Sequence, residues 1–216
     1  SVGDFEKACR ALGINNDSHV VVYDDQGMFS SARAWWMLKT MGLEKVSVLD
    51  GGLPYWLDLK FPLSNATEQN MPLESHEGDF VAQFQSSMFC DAQYVLTALS
   101  KADSCVIDAR AADRFLGEVP EPRVGIRSGH MPGAKNLPYS KFFENGLFKS
   151  PQQLSSLLAE LATQNQQLIM SCGSGITACI LALASDISGY KRVSVYDGSW
   201  TEWGSELHLP VVSGNE

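Results

Sequence analysis

The sequence repeats itself. Val46-Ser47-Val48-Leu49-Asp50-Gly51 recurs without a gap 147 positions later as Val193-Ser194-Val195-Tyr196-Asp197-Gly198, with Gly42 falling on Gly189 and Trp56 on Trp203. A repeat at fixed offset constrains architecture before any element is assigned, because both copies have to form the same supersecondary unit. At that offset Val20 to Tyr23 falls on Gln167 to Met170, and Ser30 to Met41 on Thr177 to Ser188. Each copy opens with a short run, Val20-Val21-Val22 or Leu168-Ile169-Met170, that has the composition of a buried parallel strand. About a dozen residues rich in Ala, Leu, Trp and Met follow, ending near Gly42 or Gly189, where a helix C-terminus favours glycine. Strands alternating with helices predict right-handed crossovers and an α/β fold, with a parallel sheet flanked by helices in each copy.

The second copy has more in front of it. Ser104-Cys105-Val106-Ile107-Asp108 reads as a strand, Ala134 to Leu137 as another after the Pro132-Gly133 turn, and Gln152 to Ala162 as a helix. The helix near Asp4 to Leu12 matches the last of these in the first copy, but counterparts of residues 104 to 147 are missing. Two visible strands do not make a stable sheet with a buried core, so the chain is expected to begin inside a domain, with roughly 50 to 70 residues lacking at its N-terminus. Residues 64–87 mix Asn, Glu, Gln, Pro and Gly with few apolar side chains and read as an interdomain linker. The expected organisation is a partial first domain over 1–63, the linker over 64–87 and a complete second domain over 88–216.

Composition narrows the function classes. Sixteen basic against 25 acidic side chains give a net charge of −9, which argues against a broad nucleic-acid footprint. The most apolar stretch, Thr177 to Ala184, is far short of the roughly 20 residues that span a bilayer, and the first twenty residues lack a basic start followed by an apolar run. Five scattered cysteines, Cys9, Cys90, Cys105, Cys172 and Cys179, are odd in number and include no C-x-x-C pair or zinc-finger spacing. Together these point to a soluble chain in a reducing compartment, the cytoplasm, with at least one free thiol.

Cys172 stands apart from the other four. It ends a strand and opens Cys172-Gly173-Ser174-Gly175-Ile176-Thr177, after which a helix begins. Ligands of open α/β sheets bind beyond the carboxyl ends of the strands, and two glycines let consecutive amides turn inward into an anion-binding nest at a helix N-terminus. A thiolate suits such a nest. An ordinary cysteine is only about 3% ionised at pH 7, and lowering its pKa by ~2 units takes about 2.7 kcal/mol, within reach of several amide dipoles and a helix end. Elsewhere a small buried thiol is the expectation, as for Cys9, Cys90, Cys105 and Cys179. In the first copy Asp25 falls on Cys172, so that copy is expected to be catalytically silent.

The loop Cys172 to Thr177, the turn Gly129-His130-Met131-Pro132-Gly133-Ala134 and the closing segment Val195 to Trp203 resemble the two-domain rhodanese-like sulfurtransferases. The likeness is nearest to the mercaptopyruvate-using branch and covers nearly the whole chain, Ser30 to Trp36 and Leu49 to Trp56 resembling the family's inactive N-terminal domain. Met131 stands where Ile or Leu is usual, and Ile176 where Val is usual. Thiosulfate-specific members carry Arg and Lys after the cysteine, whereas Gly173 and Ser174 supply no charge here. The resemblance implies tandem rhodanese-like domains, Cys172 and Ser174 in catalysis, and donor binding by Arg114, Arg123, Gly173, Gly175, Ile176 and Thr177. Arginine suits a carboxylate because its fork binds both oxygens.

By the same resemblance Cys172 takes sulfur from 3-mercaptopyruvate as a persulfide, pyruvate leaves, and a thiol such as reduced thioredoxin, or cyanide, accepts the sulfur. Thr177 would donate to Cys172 or cap the helix. No cofactor or metal is implied. Arg110, Arg127 and His130 are expected to be scaffold. A cysteine phosphatase would need an arginine six residues after the cysteine, where Ala178 stands. Thiosulfate sulfurtransferase and a non-catalytic binding module remain as alternatives.

Overall fold

The chain, described by a computed structural model over residues 1–64 and 77–214, divides into two units, Ser1–Gln85 and Ser86–Glu216. Unit 1 opens with α1 (Val2–Ala11), started by a reciprocal capping box in which the Ser1 hydroxyl accepts from the Asp4 amide and the Asp4 carboxylate reaches back to Ser1. Then come β1 (Val20–Val22), α2 (Ser31–Thr40), β2 (Val46–Val48) and α3 (Gly52–Asp58). β1 and β2 pair in parallel with Val20 opposite Val46, the two strands described for this unit. Its core gathers Cys9, Leu38, Leu43 and Phe80.

Phe80 corrects the linker expectation. Half of the stretch read as a linker, residues 65–76, lies outside the described residues, but 77–85 are packed into unit 1. Phe80 is 1% exposed and its carbonyl accepts from Arg10 Nε. Asp79 accepts from the Asn16 amide, and Glu6 from the Ala82 amide. Polar composition misled here because one phenylalanine carries the burial while its neighbours pair with side chains of α1 and the following loop.

Unit 2 runs β3 (Phe89–Cys90), α4 (Ala92–Ala98), β4 (Ser104–Asp108), α5 (Ala112–Leu116), β5 (Lys135–Asn136), β6 (Phe143–Glu144), β7 (Leu147–Phe148), α6 (Pro151–Ala159), β8 (Gln167–Ser171), α7 (Ala178–Ile187), β9 (Val193–Tyr196) and α8 (Ser199–Ser205). Its main sheet is parallel, in the order β3-β9-β8-β4-β5. β8 sits at the centre and is buried at all five residues, as a strand covered on both faces must be. α7 lies against it with every residue from Ala178 to Ser185 buried. α6 begins with Ser150, Pro151 and Gln153 forming a second capping box with proline at the first helical position. The small hairpin β6–β7 turns on Asn145 and Gly146, both at positive φ, the pair that a tight primed turn prefers.

The repeat survives in the fold. α2 and α7, and likewise α3 and α8, begin and end at the same offset that relates the two sequences. In unit 2 the chain leaves β8 toward β9 on one side, and leaves β4 toward β5 on the other. Neighbouring strands whose connections diverge open a crevice beyond their carboxyl ends. Asp108 and Ser171, the last residues of β4 and β8, are register partners, and the Ala109 amide donates to the Ser171 carbonyl. The segments after β4 and after β8 therefore have to meet.

Candidate active site

Cys172 follows β8 and is 1% exposed, while Gly173, Ser174, Ile176 and Thr177 around it are half-exposed. Gly175, at φ +78, turns its amide back onto the Cys172 sulfur at 3.1 Å. Where several inward amides were expected, Gly175 is the one amide hydrogen-bonded to Sγ among the described residues. The rest of the grip comes from the first turn of α8. The Cys172 amide donates to Ser199 Oγ at 3.1 Å, Trp200 N donates to the Cys172 carbonyl, and both the amide and the hydroxyl of Thr201 donate to the Gly173 carbonyl. Ser199 Oγ donates to the Tyr196 carbonyl at 2.8 Å and lies 3.9 Å from Sγ. Ser199 holds φ +50, a left-handed conformation that a residue with a Cβ adopts at a cost. The Thr177 hydroxyl makes no capping bond; α7 closes its start with backbone bonds such as Cys179 N to the Ile176 carbonyl.

Arg114 reaches this loop directly, and Arg123 reaches Thr201, which is bonded to it. Arg114, on α5, packs its guanidinium against Gly173, so closely that a Cβ there would stand 3.2 Å from Nη2. Arg123, in the exposed loop that follows, donates from Nη1 to Thr201 Oγ1 at 3.1 Å, and Thr201 is itself bonded to Gly173. Burial alone would lower the Arg114 pKa, but hydrogen bonds and charge from Glu121, with Asp108 and Cys172 adding, hold it above the ordinary arginine value. Ser174 sits half-exposed in the loop beside Gly173.

Other ionisable groups nearby hold the fold. Arg110 is buried, paired with Asp108 and Glu121, donating to the Gly129 carbonyl and stacked over Trp200 at 4.3 Å. Arg127 donates to the carbonyls of Trp203, Gly204, Glu206 and Leu209, and His130, 1% exposed, bonds the Phe115 carbonyl through Nδ1. All five cysteines are free and buried. Burial pushes the Cys90 thiol up to about 12 and raises Cys9 and Cys105 as well, which removes these three as nucleophiles at neutral pH. Cys179 donates its thiol proton to the Gly175 carbonyl at 3.1 Å.

Ser199, Thr201 and Glu121 were not singled out in the sequence. The repeat held a signal for the first: at the shared offset Ser199 matches Gly52, which adopts φ +57. A glycine in one copy marked a left-handed position in both. The first copy's loop also differs from the expectation built on Asp25, which is exposed. The carboxylate inside that loop belongs to Asp24, the counterpart of Ser171, and accepts from the amides of Gln26, Met28, Ser30 and Ser31 at 2.8 to 3.0 Å. Partial burial raises the Asp24 pKa, but the amides of Ser31, Ser30 and Gln26 outweigh it and hold the group below the usual carboxylate range.

A parallel sheet with a cysteine loop beyond its central strand in unit 2, and a corresponding loop closed on the Asp24 carboxylate in unit 1, matches one family model. The rhodanese-like domain model covers residues 2–59 and 91–206. The chain belongs to the rhodanese-like family. Among its rhodanese relatives, the 3-mercaptopyruvate sulfurtransferase of Escherichia coli K12 is 41% identical over 208 residues, 96% of this chain and 72% of that protein. The mouse protein of the same name is 42% identical over 89% of this chain and 65% of its own length. The thiosulfate sulfurtransferase of rat is 41% identical over the same shares of each chain. The rhodanese fold of E. coli SseA, solved as a 3-mercaptopyruvate sulfotransferase, superposes with a TM-score of 0.77 at 38% identity, covering 91% of this chain and 72% of that one.

Proposed function

We propose that this chain transfers sulfur from 3-mercaptopyruvate, through a persulfide on Cys172, to a thiol or cyanide, releasing pyruvate. Percentage identity alone does not separate donors, since a thiosulfate sulfurtransferase is 41% identical over 89% of the chain and a 3-mercaptopyruvate sulfurtransferase 41% identical over 96% of it. What carries the reading is Arg114 against Gly173 and Arg123 on Thr201, which is bonded to Gly173, beside a loop whose own residues after the cysteine, Gly173 and Ser174, are uncharged. Two arginine forks outside the loop suit a donor whose carboxylate lies away from its sulfur. A small dianion would be served better by charge within the loop itself.

Cys172, as thiolate, attacks the donor's sulfur. The carbon–sulfur bond breaks with its electron pair passing into the enolate of pyruvate, which takes up a proton, and Cys172 keeps the transferred sulfur as a persulfide. Arg114 and Arg123 hold the carboxylate and carbonyl, Ser174 hydrogen-bonds the donor thiol, and the loop Gly175 to Thr177, whose Gly175 amide already lies on the Cys172 sulfur, stabilises the persulfide anion. An acceptor thiolate, such as that of reduced thioredoxin, or cyanide then attacks the outer sulfur and the Cys172 thiolate leaves. The work falls to the chain's own groups, with no cofactor or metal, and five free cysteines fit a reducing, cytoplasmic setting. No helix among the described residues is long and apolar enough to cross a membrane.

Incubation with 3-mercaptopyruvate should raise the mass of the Cys172 peptide by one sulfur atom, and Cys172→Ser should end pyruvate release. Persistent turnover in that variant would defeat the assignment. A side-by-side assay should favour 3-mercaptopyruvate over thiosulfate; the reverse preference would make the chain a thiosulfate sulfurtransferase.

A further inference from the structure

The Arg114 guanidinium is not free to choose its direction. Its Nε and Nη2 both donate to Glu121, at 3.2 and 2.5 Å, which fixes the fork with its Nη end, Nη2 the nearer, against Gly173. The Glu121 side chain is only 3% exposed, although Pro122 and Arg123 beside it are exposed. Its Oε1 accepts a second guanidinium, Arg110 Nη1, at 2.9 Å. Arg110 in turn is locked to Asp108 at the end of β4 through Nε and Nη2. The four side chains Asp108, Arg110, Glu121 and Arg114 alternate in charge and run from the sheet to Gly173. A buried carboxylate is tolerable only when its oxygens are paired, and here each oxygen meets a guanidinium.

We propose that Glu121 is a positioning residue for the donor site, fixing the Arg114 fork over Gly173 before the donor arrives. The proposal rests on Arg114 binding the donor's carboxylate. Glu121 itself touches no donor; it acts through Arg114. An unrestrained arginine has to give up its rotamer freedom at each binding event, and a fork already held by Glu121 has given it up in the free protein. The benefit therefore falls on donor binding rather than on the bond-breaking step.

Steady-state kinetics with 3-mercaptopyruvate as donor and cyanide as acceptor test this in five proteins: wild type, Glu121→Gln, Glu121→Asp, Arg114→Ala and the double variant Glu121→Gln/Arg114→Ala. Glu121→Gln is expected to raise the donor KM about tenfold, with kcat within about twofold and the cyanide KM unchanged. In the Arg114→Ala background the same change is expected to be silent, an outcome that a general loss of structure would not give. Glu121→Asp keeps the charge opposite Arg110 but draws it back from Arg114, so it should show a smaller rise in donor KM, and it supplies the result if Glu121→Gln does not fold. An unchanged donor KM in both Glu121 variants, or an equal rise with and without Arg114, overturns the proposal while leaving Arg114 as donor ligand. An unchanged donor KM in Arg114→Ala overturns the Arg114 assignment and the proposal with it.

Discussion

Ser199 offers a test in which two conservative changes should fall in the opposite order from the usual one. Its hydroxyl accepts the buried Cys172 amide at 3.1 Å and donates to the Tyr196 carbonyl at 2.8 Å, while its backbone sits at φ +50. Ser199→Ala removes the hydroxyl and keeps the strain; leaving a buried donor without its partner costs about 1 to 3 kcal/mol. Ser199→Gly removes the same hydroxyl but relieves a left-handed conformation that costs a residue with a Cβ roughly 1 to 2 kcal/mol, offset by about 0.5 to 1 kcal/mol of extra chain freedom in the unfolded state. The glycine variant should therefore be the more stable of the two by about 0.5 to 1 kcal/mol, or a few degrees in Tm for a unit of this size. At the first position of a helix in ordinary backbone geometry the order would be reversed. A hydroxyl has one proton, and the Tyr196 carbonyl holds it, so Ser199 serves Cys172 chiefly by accepting its amide. Both variants should accordingly slow persulfide formation by a similar factor while differing in Tm. Thermal melts followed by circular dichroism, alongside single-turnover pyruvate release, give both quantities. An alanine variant at least as stable as the glycine variant would refute the strain argument.

Arg123→Ala removes a guanidinium from the loop's rim and should raise the donor KM several-fold with little change in Tm, since Arg123 is exposed and its bond is to Thr201; steady-state kinetics and a melt check both. Ser171→Asp should copy the first unit's arrangement, placing a carboxylate among the loop amides and ending sulfur transfer with the near-UV spectrum retained; a variant that still turns over would show that the two loops differ for another reason. Asp24 has its pKa held down in the folded state, so its contribution to stability is complete above the unfolded value near 4 and is lost as pH falls through the folded value. Urea melts should accordingly show wild type losing more stability below about pH 4 than Asp24→Asn does, and parallel curves would contradict the sign.

The repeat made the sheet, the two long helices and the position of Cys172 legible, because period and punctuation are local properties. α2 and α7 came within one residue of their expected starts and ends, and β4 was bounded as read. The linker was not legible, because the burial of Phe80 depends on contacts with α1, many residues away. Nor was the Glu121 pairing, since one glutamate in Pro120-Glu121-Pro122 gives no sign that two arginines will close on it. The hairpin at Asn145-Gly146 carries a local signal in that dipeptide. A more general lesson lies in three paired positions. Gly52 and Ser199 share a left-handed backbone, as do Met28 and Gly175, and Asp24 stands where Ser171 does. Two left-handed turns are thus common to both loops, although Gly27 and Gly51 are left-handed where their counterparts Ser174 and Gly198 are not, and the copies differ further in which of them spends a side chain on the loop amides. Unit 1 fills its amides with Asp24 and keeps glycine at 52, where a Cβ would stand 2.6 Å from the Asp24 carbonyl. Unit 2 leaves its amides to Cys172 and to whatever anion enters, and accepts strain at Ser199 to hold the cysteine's backbone. An anion site and a closed loop can therefore be built on one scaffold by exchanging residues at a few positions, and comparing the copies within one chain identifies those positions without any second protein.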